Sequence, residues 1–149
     1  MTAWHGKWRH KTMDKVLNYI GLARKAGRAE LGEEPVGAAA RALHAHLIVV
    51  AADASDHTWR RAKSYAAGTD QQCIRLPHSK DEVGMAIGRQ ELAIAAITDP
   101  ALALSLVQAL PQPEKFASVA AVLEEKVQRQ RKRQQEAKAH KRNVRKGKK

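Results

Sequence analysis

Two nearly unbroken apolar runs, Leu47–Ala52 (LIVVAA) and Leu92–Thr98 (LAIAAIT), constrain this chain more than any other feature. A strand with one wet face alternates apolar and polar residues, and these runs leave no polar face for water. Both therefore read as strands covered on two sides, which requires helices above and below the sheet. Each run is followed at once by helix-start chemistry. After the first comes Asp53-Ala54-Ser55, with Ser55 placed to cap a helix over Asp56–Ala66. After the second comes Asp99-Pro100, an N-cap and a first-turn proline for a helix over Ala101–Ala109.

The remaining segments complete the alternation. Thr12 or Asp14 can cap a helix whose Val16, Leu17, Ile20 and Ala23 share one face and which Gly27 ends. A short extended piece, Arg28–Leu31, follows. Gly32-Glu33-Glu34-Pro35 then opens a second helix, continued by Ala38–Leu43, with acids at the positive end of the dipole. Gly68-Thr69-Asp70 interrupts the third helix, and Gln72–Leu76 reads as a further strand. Ser79 with Glu82 three residues later is a capping box for a helix over Lys80–Ile87. Strand and helix in alternation predict an α/β sandwich with helices on both faces of a largely buried sheet.

Charge is divided as sharply as hydropathy. The formal net charge of +12 sits wholly at the two ends. Beyond Leu123, twelve Lys or Arg face three acids, and the first thirteen residues add Lys7, Arg9 and Lys11 with no acid. The middle carries twelve of each sign. A polyanion is the natural partner of such ends, because each cation docked on a phosphate releases condensed counterions. The expected organisation is a basic, Trp-containing extension over residues 1–13, a neutral domain over 14–112 closed by Pro111-Gln112-Pro113, and a basic helix or tail over 113–149. Phe116, Val119, Ala120, Leu123 and Val127 recur at helical spacing, but from Gln128 onward the chain offers almost nothing apolar. That stretch is expected to be disordered or a fraying helix until bound.

GLARKAGRAELGEE (Gly21–Glu34), LIVVAADAS (Leu47–Ser55), MAIGRQ (Met85–Gln90) and AIAAITD (Ala93–Asp99), in that order and spacing, resemble the ribosomal protein L7Ae/L30e-like family, most of all its bacterial YlxQ-type branch. The resemblance covers about two-thirds of the chain and leaves out both arms. It implies a three-layer α/β/α sandwich around a mixed four-stranded sheet, and RNA binding in a ribosome-related setting. The family reads kink-turn RNA at the start of the second helix, through Gly, any residue, Asn, Glu, two residues, Lys. Here Gly32 is kept, while Glu34, Pro35 and Ala38 stand at the Asn, Glu and Lys positions. A guanine edge offers two acceptors, O6 and N7, to the major groove. An ionised Glu34 cannot donate to them, and Ala38 supplies neither hydrogen bond nor charge.

Candidate sites follow, each with a plainer role beside it. Gly32 either lets an RNA backbone approach free N–H groups at the helix start or merely makes the turn. Glu33 and Glu34 serve as dipole partners or as RNA contacts. Asp53 and Ser55 lie at a strand's C-terminal end, where α/β folds often hold ligands, although capping alone would explain Ser55. The resemblance implies that Arg89, Gln90 and Glu91 form a loop beside the RNA, with a solvated surface cation as the plainer role of Arg89, and that Lys25 and Arg28 flank the same face. Arg60, Arg61 and Lys63 are expected to decorate a solvent-facing side. In the tail, Arg129, Arg131, Lys132, Arg133, Lys138, Lys141, Arg142, Arg145 and Lys146 are candidate phosphate contacts. Trp4 and Trp8 could stack on bases, or residues 1–12 could be a functionless extension ahead of Met13.

Other classes find little support. No apolar run approaches the length of a membrane span, and Trp4 and Trp8 lie among basic residues where a secretory signal would be apolar. Cys73 is alone, which excludes an internal disulfide and fits a reducing cytoplasm. His44 and His46 could share a strand face, but no further ligands accompany them. Gly84 and Gly88 do not make a phosphate loop. The expected function is non-catalytic RNA binding in the cytoplasm, without cofactor, metal or membrane, on ribosomal RNA and in the company of ribosomal proteins. A protein-interaction adaptor, held at ribosome or nucleic acid by its basic tail, is the alternative.

Overall fold

The computed structural model describes the backbone of residues 15–147 and side chains to residue 144. The expected basic extension, with Trp4 and Trp8 and the capping residues Thr12 and Asp14, lies outside the described residues. Helix α1 (residues 15–25) is followed by β1 (Ala29–Leu31), α2 (Glu33–Arg41), β2 (Leu47–Val50), α3 (Asp56–Ala66), β3 (Gln72–Arg75), α4 (Lys80–Ala86), β4 (Ile94–Ile97), α5 (Pro100–Gln108), a 3-10 turn (Pro113–Phe116) and α6 (Ala117–Gly147).

The strands form one mixed sheet in the order β1-β4-β2-β3. Strand β4 runs antiparallel to both neighbours, and β2 runs parallel to β3. The two apolar runs are therefore the two central strands, and every residue of β2 and β4 is buried. Side chains alternate between two cores, as the pleat requires. Leu47, Val49, Ala95 and Ile97 point to a layer built by α1, α4, α5 and α6, while Ile48, Val50, Ile94 and Ala96 point to α2 and α3. The result is the three-layer α/β/α sandwich.

The caps hold as the sequence predicts. Ser55 Oγ accepts from Thr58 N, Asp99 Oδ2 from Leu102 N, and Ser79 with Glu82 makes the reciprocal box. Two findings concern the C-terminal third. The apolar stripe does not end with the expected domain: Leu123, 0 % exposed, belongs to the same core as α1 and α5, and Val127 is buried beside it. The buried surface thus continues past residue 112. The second is the form of the tail: of the helical and disordered alternatives expected, it takes the helical one, since α6 is one continuous helix of 31 residues. Its first four turns pack on the domain and nucleate the remainder, so extending the helix needs no fresh nucleus.

Candidate nucleic-acid interface

Chain direction gathers most of the candidate residues at one edge of the sheet. Strands β1, β2 and β3 end there and β4 begins there, so the turns after Leu31, Val50 and Arg75 and the turn before Ile94 are neighbours. Helices α2, α3 and α4 all start at this edge, directing free N–H groups outward.

Specific bonds tie these starts together. Glu33, in the first turn of α2, accepts from Thr58 Oγ1 at 3.2 Å and pairs with Arg61 Nη1 at 3.1 Å. Thr58 in turn lies 3.1 Å from the Ser55 hydroxyl, so α2 is bound to α3 through the cap of α3. Asp53 Oδ1 accepts from Lys80 N at 2.8 Å, which fastens the loop after β2 to the start of α4. Lys80 Nζ then reaches Glu91 at 3.6 Å, next to the exposed Arg89 and Gln90. Gly84 makes this last approach possible. A Cβ there would sit 2.6 Å from Glu91 Cα, so only glycine lets the 88–91 loop fold back along α4.

The edge therefore brings together Gly32, Glu33, Glu34, Asp53, Ser55 and Glu91, with Arg89 and Gln90 in the same loop as Glu91. Gly32 has φ +95° and ψ 163°, a conformation that side chains resist, so making the turn is by itself sufficient reason for glycine. Glu33 and Asp53 are engaged in protein bonds, whereas Glu34 is exposed. Arg61, expected among solvent-facing decoration, instead belongs to the edge through Glu33.

Arg28 does not join this cluster. Arg28 O accepts from Thr98 N at the beginning of β1 and the end of β4, the opposite edge of the sheet. Four residues of extended chain separate it from Gly32, about 13 Å. Nearness in sequence misleads here because β1 crosses the whole sheet between them. Lys25 lies in a groove between α1 and α4, lined also by Leu17, Leu22, Glu82 and Met85.

The basic helix leaves from that opposite edge too. Lys126 of α6, 7 % exposed, reaches Asp70 Oδ1 at 3.3 Å and His46 Nδ1 at 3.2 Å, and Gln130 donates to Asp99 at 3.4 Å. Asp99 caps the start of α5, so α6 runs back along α5 and passes its beginning. Beyond Gln130 the helix continues for seventeen residues, about 25 Å. Every described side chain from Arg131 to Val144 is exposed, with Glu136 the one acid among Arg131, Lys132, Arg133, Lys138, Lys141 and Arg142. At 100° per residue, Arg131, Lys138 and Arg142 fall within about 40° of one another, a stripe of positive charge along one side. Arg129 is half spent on Glu125, four residues earlier. The side chains of Arg145 and Lys146 lie outside the described residues.

Burial disfavours other chemistry. Desolvation pushes the Cys73 thiol up to about 12, which disfavours the reactive thiolate. His46 is pushed below its ordinary value, first by burial and then by the Lys126 ammonium, and it serves the α6 anchor. Among the described residues, no group of three or more His, Cys, Asp or Glu is placed to hold a metal, and no helix is long and apolar enough to cross a membrane. Sequence reasoning missed Lys80, Trp59, Arg75 and Lys126. The Trp59–Lys63 spacing of four was a usable signal, but the other contacts are tertiary.

The fold and the edge define a sandwich of the L7Ae-like class. No protein-family model matches the sequence. Over 75 residues, which are 50% of this chain and 72% of the relative, it is 36% identical to the RNA-binding protein YlxQ of Enterococcus faecium, and it belongs to the same family as that protein. Among solved structures, it resembles a protein of unknown function from Bacillus halodurans C, with TM-score 0.60 and 24% identity, over 64% of this chain and 95% of that one. It also resembles the Giardia lamblia 15.5kD RNA binding protein, with TM-score 0.52 and 17% identity, over 73% and 90%. These two likenesses concern the fold.

Proposed function

We propose that this protein is a non-catalytic RNA-binding protein of the YlxQ-type bacterial branch, acting in the cytoplasm on ribosomal RNA or in ribosome assembly. The observation that carries the proposal is the free half of α6, a stiff cationic helix on a fold whose relative is named for RNA binding. Its stripe supplies sequence-independent affinity through phosphate contacts. The turn–helix edge then positions structured RNA, with Arg89, Gln90 and the backbone near Gly32 as its contacts. Because Glu34 and Ala38 cannot donate to guanine, strong kink-turn reading is not part of the proposal.

An adaptor reading is favoured by one observation. Glu33, Glu34, Asp53, Asp56, Asp81, Glu82 and Glu91 cluster at the starts of α2, α3 and α4 and in the loops beside them, where Arg61 and Lys80 are already paired with Glu33 and Glu91; these helix starts are poor ground for phosphate and better suited to a basic protein segment. Crosslinking in cells, with sequencing of the bound RNA and mapping of the crosslinked peptide, separates the two. Crosslinks from the 88–91 loop to discrete ribosomal RNA sites support the first reading. Crosslinks from α6 alone, at scattered RNA positions, would favour the adaptor and overturn it.

A further inference from the structure

Beside the acidic edge lies a cluster of cations that the sites above leave unused. Arg75, the last residue of β3, places its guanidinium 4.7 Å from the centre of the Trp59 ring, and Lys63 places its ammonium 5.4 Å from the same ring. Trp59 itself is half-buried and packs against the core shared by α2, α3 and the sheet. Strand β3 ends and α3 begins at the turn edge, where Trp59 N donates to Ser55 O at 3.0 Å. Arg60 and Lys63, one turn apart on α3, extend the cluster along the exposed side of the helix.

Charge assignments separate these residues from their neighbours. Arg61 is neutralised by Glu33 and Lys80 by Glu91, whereas among the described residues Arg60, Lys63 and Arg75 make no ion pair. Arg75 and Lys63 are held only by the indole, an arrangement that orders their heads while consuming no N–H of the guanidinium in a hydrogen bond. A planar fork, pre-oriented on an aromatic platform and left without a carboxylate, has its donors ready for a tetrahedral oxyanion. The ring is already occupied by cations, so stacking of a base on Trp59 is the less suitable use.

We infer that the Trp59–Lys63–Arg75 cluster, with Arg60, is a phosphate-contacting surface that docks the RNA backbone alongside the turn edge and provides the positive charge the edge lacks. The inference rests on the RNA-binding reading above and adds to it the place where the folded domain meets phosphate. It also assigns α3 and the β3 edge a role separate from α6, which departs from the opposite side of the sheet.

Three tryptophans are present in the chain, at 4, 8 and 59. In full-length protein carrying W4F and W8F, Trp59 is the sole reporter, and its emission is followed while a short RNA hairpin is titrated. The inference expects a change in Trp59 emission that saturates with binding. It also expects Lys63→Ala with Arg75→Ala to reduce the log–log salt slope by about 1.4–1.8, two contacts at roughly 0.7–0.9 each. Arg75→Lys keeps the charge but not the fork, so it should retain the slope while weakening binding. RNA that binds with Trp59 emission and slope unchanged would overturn the inference and leave the RNA-binding reading standing. Failure of the unsubstituted protein to bind any RNA would remove both. A Trp59 response to an acidic peptide such as poly-glutamate, with none to RNA, would instead assign the cluster to a protein partner and overturn the inference.

Discussion

Lys126 of α6 lies 3.3 Å from the Asp70 carboxylate, and this contact joins the basic helix to the turn that precedes β3. The lysine is buried while Asp70 is 59% exposed, so water screens the pair on one side only. Removing the acid leaves an ammonium whose remaining hydrogen-bond partner, among the described residues, is the His46 ring. Asp70→Ala should therefore cost about 1–2 kcal/mol, whereas Arg129→Ala, which breaks the exposed pair with Glu125, should cost about 0.5 kcal/mol or less. Chemical denaturation measures both, and hydrogen exchange of the amides over 117–130 shows whether α6 is the part that loosens. Equal small losses would mean that the anchor is apolar alone.

The same anchor should respond to acid. Burial and Lys126, with His44 in the same sense, hold His46 below its ordinary 6.5, against the opposing pull of Asp70 and Asp99. The unfolded chain then binds the proton more readily than the folded one, so stability is complete above about pH 6.5 and falls as pH drops through and below that value. Denaturation midpoints measured from pH 7.5 to 5.0 should decline more in the wild type than in His46→Gln. A parallel decline in both proteins would remove His46 as the cause.

Truncation should distinguish core from arm. Leu123 is wholly buried, so Leu123→Ala should cost about 2–5 kcal/mol, and ending the chain after Gln112 should destabilise the domain still more. Ending it after Gln130 removes no described side chain that is buried and should leave the unfolding midpoint nearly unchanged. That shorter protein should nonetheless lose orders of magnitude in RNA affinity at low salt, with a flatter salt slope. Retained affinity would transfer the phosphate contacts to the domain.

Arg89 should matter through its position. In protein ending after Gln130, Arg89→Ala is expected to weaken RNA binding more than Arg24→Ala, an equal loss of charge on an exposed position of α1. Arg61 makes a poor comparison, because its removal also releases the Glu33 carboxylate at the edge. Equal losses at 89 and 24 would mean that the edge does not face RNA.

Restoring donors at the start of α2 tests the kink-turn chemistry. Glu34, Pro35 and Ala38 are all exposed, so Glu34→Asn, Pro35→Glu and Ala38→Lys disturb no packing. With each base contact worth about 1–3 kcal/mol, the triple variant should gain at least about tenfold for a kink-turn over a scrambled hairpin. A folded variant with no gain would show that this helix start points elsewhere.

What could be read in advance was whatever local chemistry decides. Ser55, Ser79 and Asp99 announce helices because a cap needs only the next three residues, and LIVVAA announces a central strand because no other position hides both faces. The anchor of α6 was not legible. Lys126 looks like any tail cation until Asp70 and His46, distant in sequence, are brought beneath it. Arg28 and Gly32 are four residues apart yet face opposite edges, which only strand direction decides. Pairings such as Glu33–Arg61 and Trp59–Arg75 depend on how α2, α3 and β3 stack, and no spacing within one segment encodes them.

A basic tail on a flexible linker raises the local concentration of charge in every direction, whereas α6 is pinned by Lys126 and Gln130 and keeps a fixed bearing. Its free cations begin on the far side of the domain from the turn edge and point away from it. Tethering arithmetic for floppy arms does not apply, because the second contact is set by geometry and not by chain statistics. An RNA short enough to lie on one side must choose between the arm and the edge. Only one that bends round the domain, or a second RNA molecule, can occupy both at once.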